Sequence, residues 1–170
     1  MTQFDPKALR QAFSVFPTGV TIVTARADDG TPVGFTANSF TSVSLDPPLL
    51  LVCPGRYLSS FPVFATCSRF AVNVLADGQE ALSDTFARFG GDRFAQAAWT
   101  DDPDQPPVFH GVAAHFLCTT HQIIPAGDHV VLMGAVEAFE RSERLGLGFA
   151  EQNYFSLGSV NAAERERHYG

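Results

Sequence analysis

The run Thr36-Ala37-Asn38-Ser39, continuing through Phe40-Thr41-Ser42-Val43-Ser44 to the Pro47-Pro48 pair, concentrates small and hydroxyl side chains. Such residues leave backbone N–H groups uncrowded and add short-range hydrogen-bonding groups of their own. A planar, polar-edged heterocycle with a phosphate tail needs that kind of surface, although an ordinary polar turn uses the same residue types. Ser59 and Ser60 precede an apolar, helix-like stretch. There a Ser commonly caps the helix, and the same position can hold an anion. Arg56 is the nearest cation in the sequence to that segment, with Arg88 and Arg93 as further candidates and no sign of which one serves. His129 stands at the mouth of a strand beside Asp128, where it can line a cleft or simply be satisfied by its neighbour.

Several chemistries find no support. His115 and His121 lie on one face of an alternating strand, but no Asp, Glu or Cys falls in register with them, so no metal site is expected. Asp28-Asp29 and Asp101-Asp102 sit in turns, where a solvated surface explains paired carboxylates, and glycosidase chemistry is unsupported. There is no G-x-S-x-G elbow and no G-x-G-x-x-G after a strand, so nicotinamide chemistry would need a cleft of another kind. The three cysteines, Cys53, Cys67 and Cys118, form no C-x-x-C pair and read as reduced thiols. A net charge of −7 without a Lys/Arg cluster argues against a nucleic-acid partner. The N-terminal residues lack the regions of a signal peptide, and no apolar run approaches the ~18 residues that span a membrane. A cytoplasmic location without membrane contact is therefore expected.

The elements that must position these residues are mostly strands. Asp5-Pro6 opens a helix that Pro17-Thr18-Gly19 ends, with Leu9, Ala12, Phe13 and Phe16 at helical spacing. Strands are predicted over 19–25, 32–36, 43–45, 49–53, 70–75, 113–124 and 130–139, from their Val, Ile, Thr and Phe content between turn signals. Short helices are predicted over 59–65 and 79–89, the second carrying Leu82, Phe86 and Phe89 on one face, and 101–107 reads as a surface loop. Many short strands with peripheral helices imply a mainly-β barrel rather than βαβ units. The 170 residues suit one domain, with a solvated tail carrying Glu164, Arg165, Glu166 and Arg167. Sixteen Phe and only 17% charged residues imply a large aromatic interior or an apolar surface covered by a second subunit.

Several stretches occur together in order: Pro17-Thr18-Gly19-Val20 with Val23-Thr24, the run from Gly34 to Pro48, Phe70-Ala71-Val72-Asn73-Val74-Leu75, and Gly127-Asp128-His129 ahead of Gly134-Ala135-Val136. Tyr154-Phe155-Ser156-Leu157 follows as a closing strand. Over roughly residues 8–158 this order resembles the flavin reductase-like family, leaving 159–170 as the tail. The resemblance implies an FMN-binding split barrel, dimeric, with flavin near the subunit interface. It implies hydride transfer from NADH or NADPH to FMN or FAD, with reduced flavin diffusing to a flavin-dependent monooxygenase. The residues it points to for the flavin are Thr18, Thr36, Ala37, Asn38, Ser39, Ser42, Cys53, Ser59, Ser60 and Asn73. His129 would position the nicotinamide, since hydride transfer to a flavin needs alignment and no protein nucleophile. Two alternatives share the expectation of a bound flavin: an oxidase or oxygenase that holds its flavin tightly, and a non-catalytic flavin-binding protein. The approach Phe149-Ala150-Glu151-Gln152-Asn153 departs from the glycine- and tyrosine-rich sequence commoner in the family, which leaves the role of Tyr154 open.

Overall fold

A computed structural model describes residues 4–88 and 90–159. The expectations placed on Phe89 and on the charged tail lie outside the described residues. Helix α1 (Pro6–Ser14) begins as the sequence predicts, with the Asp5 carboxylate accepting the Lys7 N–H at 3.0 Å and Pro6 in the first turn. Strands β1 (Thr18–Gly19), β2 (Thr21–Arg26), β3 (Pro32–Ala37), β4 (Thr41–Leu45) and β5 (Pro48–Val52) follow. Next come α2 (Phe61–Phe64), β6 (Arg69–Val74), α3 (Glu80–Ala87), β7 (Trp99–Thr100) and β8 (Val108–Phe109). The long hairpin β9 (Ala114–Ala126) and β10 (His129–Arg141) leads to β11 (Leu147–Ala150) and β12 (Asn153–Ser156). The predicted loop 101–107 joins β7 to β8, which at two residues each carry too little pattern to be read from sequence.

Seven strands form one antiparallel sheet in the order β3-β2-β6-β9-β10-β5-β4. Its two edges, β3 and β4, are consecutive in the chain and joined only by Asn38-Ser39-Phe40. Ala37 and Thr41 therefore lie at most about 15 Å apart, the reach of four Cα steps. A seven-stranded sheet whose edges are tied that closely must roll up. The edges do not pair, so the result is a barrel split along one seam, bridged by those three residues. The predicted barrel is thereby observed, and so is its opening.

Packing on both faces explains why β2 has five consecutive buried residues. Val23 and Ala25 join Phe35, Leu50, Val52, Phe64, Phe70 and Leu132 inside the barrel. Val20 and Ile22 join Leu75, Phe86, Phe109 and Leu147 in a second cluster, which α3, β8 and β11 close from outside. Phe86 meets Phe94 and Phe109 edge-on, each at 5.0 Å between ring centres. Asn73 corrects an expectation of the sequence reading. It is fully buried in this framework, its amide donating to Ile22 O at 3.1 Å and Thr24 Oγ1 at 3.3 Å. Its carbonyl accepts the Phe109 N–H at 3.0 Å. With both ends spent on the chain itself, Asn73 clamps β8 to the sheet and has no edge left for a ligand.

Gly134 shows a packing reason for part of the Gly134-Ala135-Val136 motif. A Cβ there would come within 2.5 Å of the Phe70 ring and 2.8 Å of Cys118 Cβ. Gly134→Ala is expected to destabilise the protein by about 1–3 kcal/mol through overpacking. That corresponds to a melting temperature lower by roughly 2–4 °C per kcal/mol at this chain length, measurable by calorimetry.

The β11–β12 turn has an unusual composition. Glu151 (φ 47°) and Gln152 (φ 65°) both occupy the left-handed region that Asn-Gly ordinarily fills in a two-residue hairpin. The Glu151 N–H donates to Ser14 O at 2.7 Å, so the same turn holds the end of α1.

The three thiols are free. Burial, aided by the nearby Glu137 charge, pushes the Cys118 thiol up to about 12.

Candidate functional site

The bend at the seam is where the backbone is least committed. β3 leaves its ladder after Ala37, whose carbonyl accepts the Thr21 hydroxyl at 3.0 Å. β4 begins at Thr41. Between them the N–H groups of Asn38, Ser39 and Phe40 donate to no other described residue. Backbone donors are normally paired, so three successive uncommitted ones at an opening are a ready surface for the acceptor edge of a ligand. The Ser39 hydroxyl fixes the bend from the far side by accepting the Cys53 N–H at 2.9 Å. Phe40 stacks on Phe116 with 5.7 Å between ring centres. Burial raises the half-buried Cys53 thiol, against a smaller lowering by Ser39, so it stays protonated at neutral pH.

The other expected residues separate by what they touch. The Thr36 hydroxyl donates to Ser83 O at 2.6 Å, tying β3 to α3, and so does not serve as a donor to a ligand. Thr18 lies on β1 beside β11, its hydroxyl 3.5 Å from Phe149 O. Ser42 is exposed on the edge strand β4, next to the bulge between Ser42 and Ser44. Tyr154 is placed by the structure: its hydroxyl meets Asp84 Oδ1 at 2.7 Å and Ser83 Oγ at 2.9 Å, locking β12 onto α3. Burial is the main cause that raises its phenol above the ordinary value.

Residues 53–60 run from the bend to the remaining candidates. Gly55 bridges to His129, and the Arg56 N–H donates to Asp128 O at 2.9 Å. Asp128 Oδ1 lies 2.7 Å from His129 Nδ1. That hydrogen bond and the imidazole's charge hold the Asp128 carboxyl below the usual carboxylate range. Nε2 of His129 has no partner among the described residues. The Tyr57 ring stands edge-on to the imidazole at 5.8 Å, and a Cβ on Gly55 would strike that ring at 2.4 Å. Sequence reasoning missed Tyr57; the glycine two residues earlier was the available signal.

Ser59 and Ser60 line a cleft of about 480 Å³ that Arg93 also lines. Neither caps α2 by its side chain in the way expected of them: the Ser60 hydroxyl makes no cap bond. Among the three cations considered, Arg93 lines this cleft, anchored by Nη1 on Gly34 O at 3.0 Å. Arg56 is turned toward Gly127 O and the Phe61 ring. His115 faces Glu140 across β9–β10, and His121 is exposed at the register shift opposite Met133/Gly134. No cluster of metal-binding side chains occurs among the described residues, and among them no helix is long and apolar enough to cross a membrane.

Comparison with known proteins gives a consistent set of relatives. Residues 13–158 match the flavin reductase like domain. The chain is 54% identical over 90% of its length to a probable flavin reductase of Rhizobium meliloti, of which it covers 49%. It is 51% identical over 88% of its length to the reductase component of a flavin-dependent trigonelline monooxygenase of Acinetobacter baylyi, of which it covers 48%. The chain thus spans about half the length of these curated relatives. An NADH:FAD oxidoreductase of Streptomyces globisporus, solved with NAD and FAD fragments, superposes with a TM-score of 0.85 at 36% identity. That match covers 94% of this chain and 99% of the other.

Proposed function

The chain belongs to the flavin reductase-like family, and from that premise we propose that it is an NAD(P)H:flavin oxidoreductase. It reduces FMN or FAD with NADH or NADPH and supplies the reduced flavin to a partner flavin-dependent monooxygenase. When bound, the flavin takes a hydride from C4 of the nicotinamide, leaving NAD(P)⁺, and a solvent proton completes its reduction. The observation that carries this reading is the set of uncommitted N–H groups at residues 38–40 on the barrel seam. They suit the acceptor edge of an isoalloxazine, whose negative charge grows on reduction and is favoured by preorganised donors.

The chain's own residues divide the work. Asn38, Ser39 and Phe40 orient the ring, with Thr18, Thr36, Ala37, Ser42 and Cys53 shaping the strand ends around them. Ser59, Ser60 and Arg93 hold the phosphate through hydroxyls and a guanidinium, the pairing that phosphate recognition favours. Asp128 accepts the Nδ1 proton of His129, which leaves Nε2 as an acceptor for the nicotinamide carboxamide. The working unit is the single domain from about residue 8 to 158.

A homodimer in the cytoplasm completes the reading. Helix α1 is amphipathic yet buries no residue, and Phe13 and Phe16 are 69% and 74% exposed. Leu45 on the edge strand is 96% exposed. Apolar area of this kind is what a second subunit covers.

The test is anaerobic. A catalytic amount of protein mixed with NADH and excess FMN or FAD should bleach the flavin absorbance in many turnovers. Saturable flavin binding without nicotinamide oxidation would overturn the assignment. A flavin that survives purification and does not exchange would point instead to an enzyme that keeps its cofactor.

A further inference from the structure

Resting on the reductase reading, the geometry points to FAD over FMN as the preferred flavin, its adenosine half lying in the cleft beyond Ser59 and Ser60. β3 starts at that cleft, with Pro32 and Val33 in its wall, and ends at the bend 38–40. The strand spans about 17 Å at the usual rise per residue. A ribityl phosphate covers only part of that distance from a ring seated at the bend. FMN therefore stops near Ser59 and Ser60 and leaves most of the cleft vacant. At about 480 Å³ the cleft far exceeds what one phosphate occupies and falls within the roughly 300–1,000 Å³ of sites that hold whole small molecules.

The lining suits what FAD adds. Pro32, Val33 and Phe94 supply an apolar wall for a purine. Arg93 spends one N–H on Gly34 O and keeps the rest of its donor fork for a pyrophosphate. The neighbouring Asp92 carboxylate accepts the Ala95 N–H at 3.1 Å, which directs one of its oxygens into the chain. Gly90 and Gly91 adopt φ of 82° and 77°, with open space where a Cβ would stand. They leave that side of the cleft bounded by bare main chain.

Fluorescence titration of flavin-free protein with FAD and with FMN tests this without reference to turnover. Wild type is expected to bind FAD at least about tenfold tighter, a difference of ~1.4 kcal/mol. Thr31 lines the same cleft, and its hydrogen bonds run to the turn residues Asp29 and Ala27 rather than into the core. Thr31→Trp should fill the space, and Arg93→Ala should remove the donor fork. Each should lower the FAD/FMN affinity ratio by about fivefold or more, in line with the ~1 kcal/mol scale of such contacts. FMN binding by Thr31→Trp, which leaves Ser59, Ser60 and Arg93 in place, reports that the ring site is still folded. Equal wild-type affinities, or a ratio that neither variant moves, would overturn the FAD assignment and leave the reductase reading standing. Failure to bind either flavin would overturn both.

Discussion

Asn38→Pro is expected to weaken binding of reduced flavin by tenfold or more while leaving the barrel folded. The substitution deletes one donor from the bend at residues 38–40, where the N–H of Asn38 is spent on no other described residue. The reduced ring carries charge at this edge, and a hydrogen bond to a charged group contributes about 1.5–3 kcal/mol, so its loss corresponds to roughly ten- to hundredfold in affinity for reduced flavin, with a smaller loss for the neutral oxidised form. The fold should tolerate the change. The preceding residue, Ala37, is already extended at the end of β3, the conformation a following proline requires. No ladder hydrogen bond is removed, because the pairing with β2 ends at Ala37. Ser39→Ala is the informative companion. It removes the acceptor for the Cys53 N–H and should loosen the bend, with a smaller effect on affinity of about one kcal/mol. If Asn38→Pro bound flavin like wild type with an unchanged melting temperature, the bend would not be the ring site.

His129→Ala is expected to raise the KM for the nicotinamide by about tenfold or more and to leave the flavin dissociation constant within twofold of wild type. The imidazole is held by Asp128 at 2.7 Å and flanked by the Tyr57 ring, while Nε2 remains uncommitted. Its role is to orient the donor, and orientation is sensitive to small displacements. Asp128→Asn should give a weaker version of the same effect, because an amide oxygen still accepts the Nδ1 proton but without charge. The hydrogen bond to the imidazole and the imidazole's charge hold the Asp128 carboxyl low, so Asp128 stays ionised through the ordinary carboxylate range and loses its charge only as the pH falls through that depressed value. The contribution of Asp128 to nicotinamide affinity should thus be lost only in acid, below the ordinary carboxylate range. A His129→Ala protein that lost flavin and nicotinamide affinity equally would show that the residue supports the fold instead.

Sequence and structure agree best where pattern and burial coincide. β2 reads as a strand because Val, Ile and Thr succeed one another, and they do so because both of its faces are covered. The bend was legible as polar and small. What the sequence could not show is that its neighbours are the two edges of one sheet, since pairing order is set by contacts far apart in the chain. Asn73 was misjudged for the same reason. An Asn in a β-rich motif looks like a ligand group until the Phe109 N–H and Ile22 O are found against it. Arg93 could not be singled out from Arg56 and Arg88 because the choice depends on Gly34 O, 59 residues away. The Glu151-Gln152 turn escaped notice because neither residue carries a turn signal. The chain bears positive φ there in a hairpin that also anchors α1.

Hydrogen exchange at the backbone amides of Asn38, Ser39 and Phe40, with and without FAD, probes the seam most directly. These amides should exchange rapidly in the free protein, having no partner among the described residues, and slow markedly once flavin is bound. Protection that appeared elsewhere while these three continued to exchange at the free rate would mean the ring lies in some other part of the molecule.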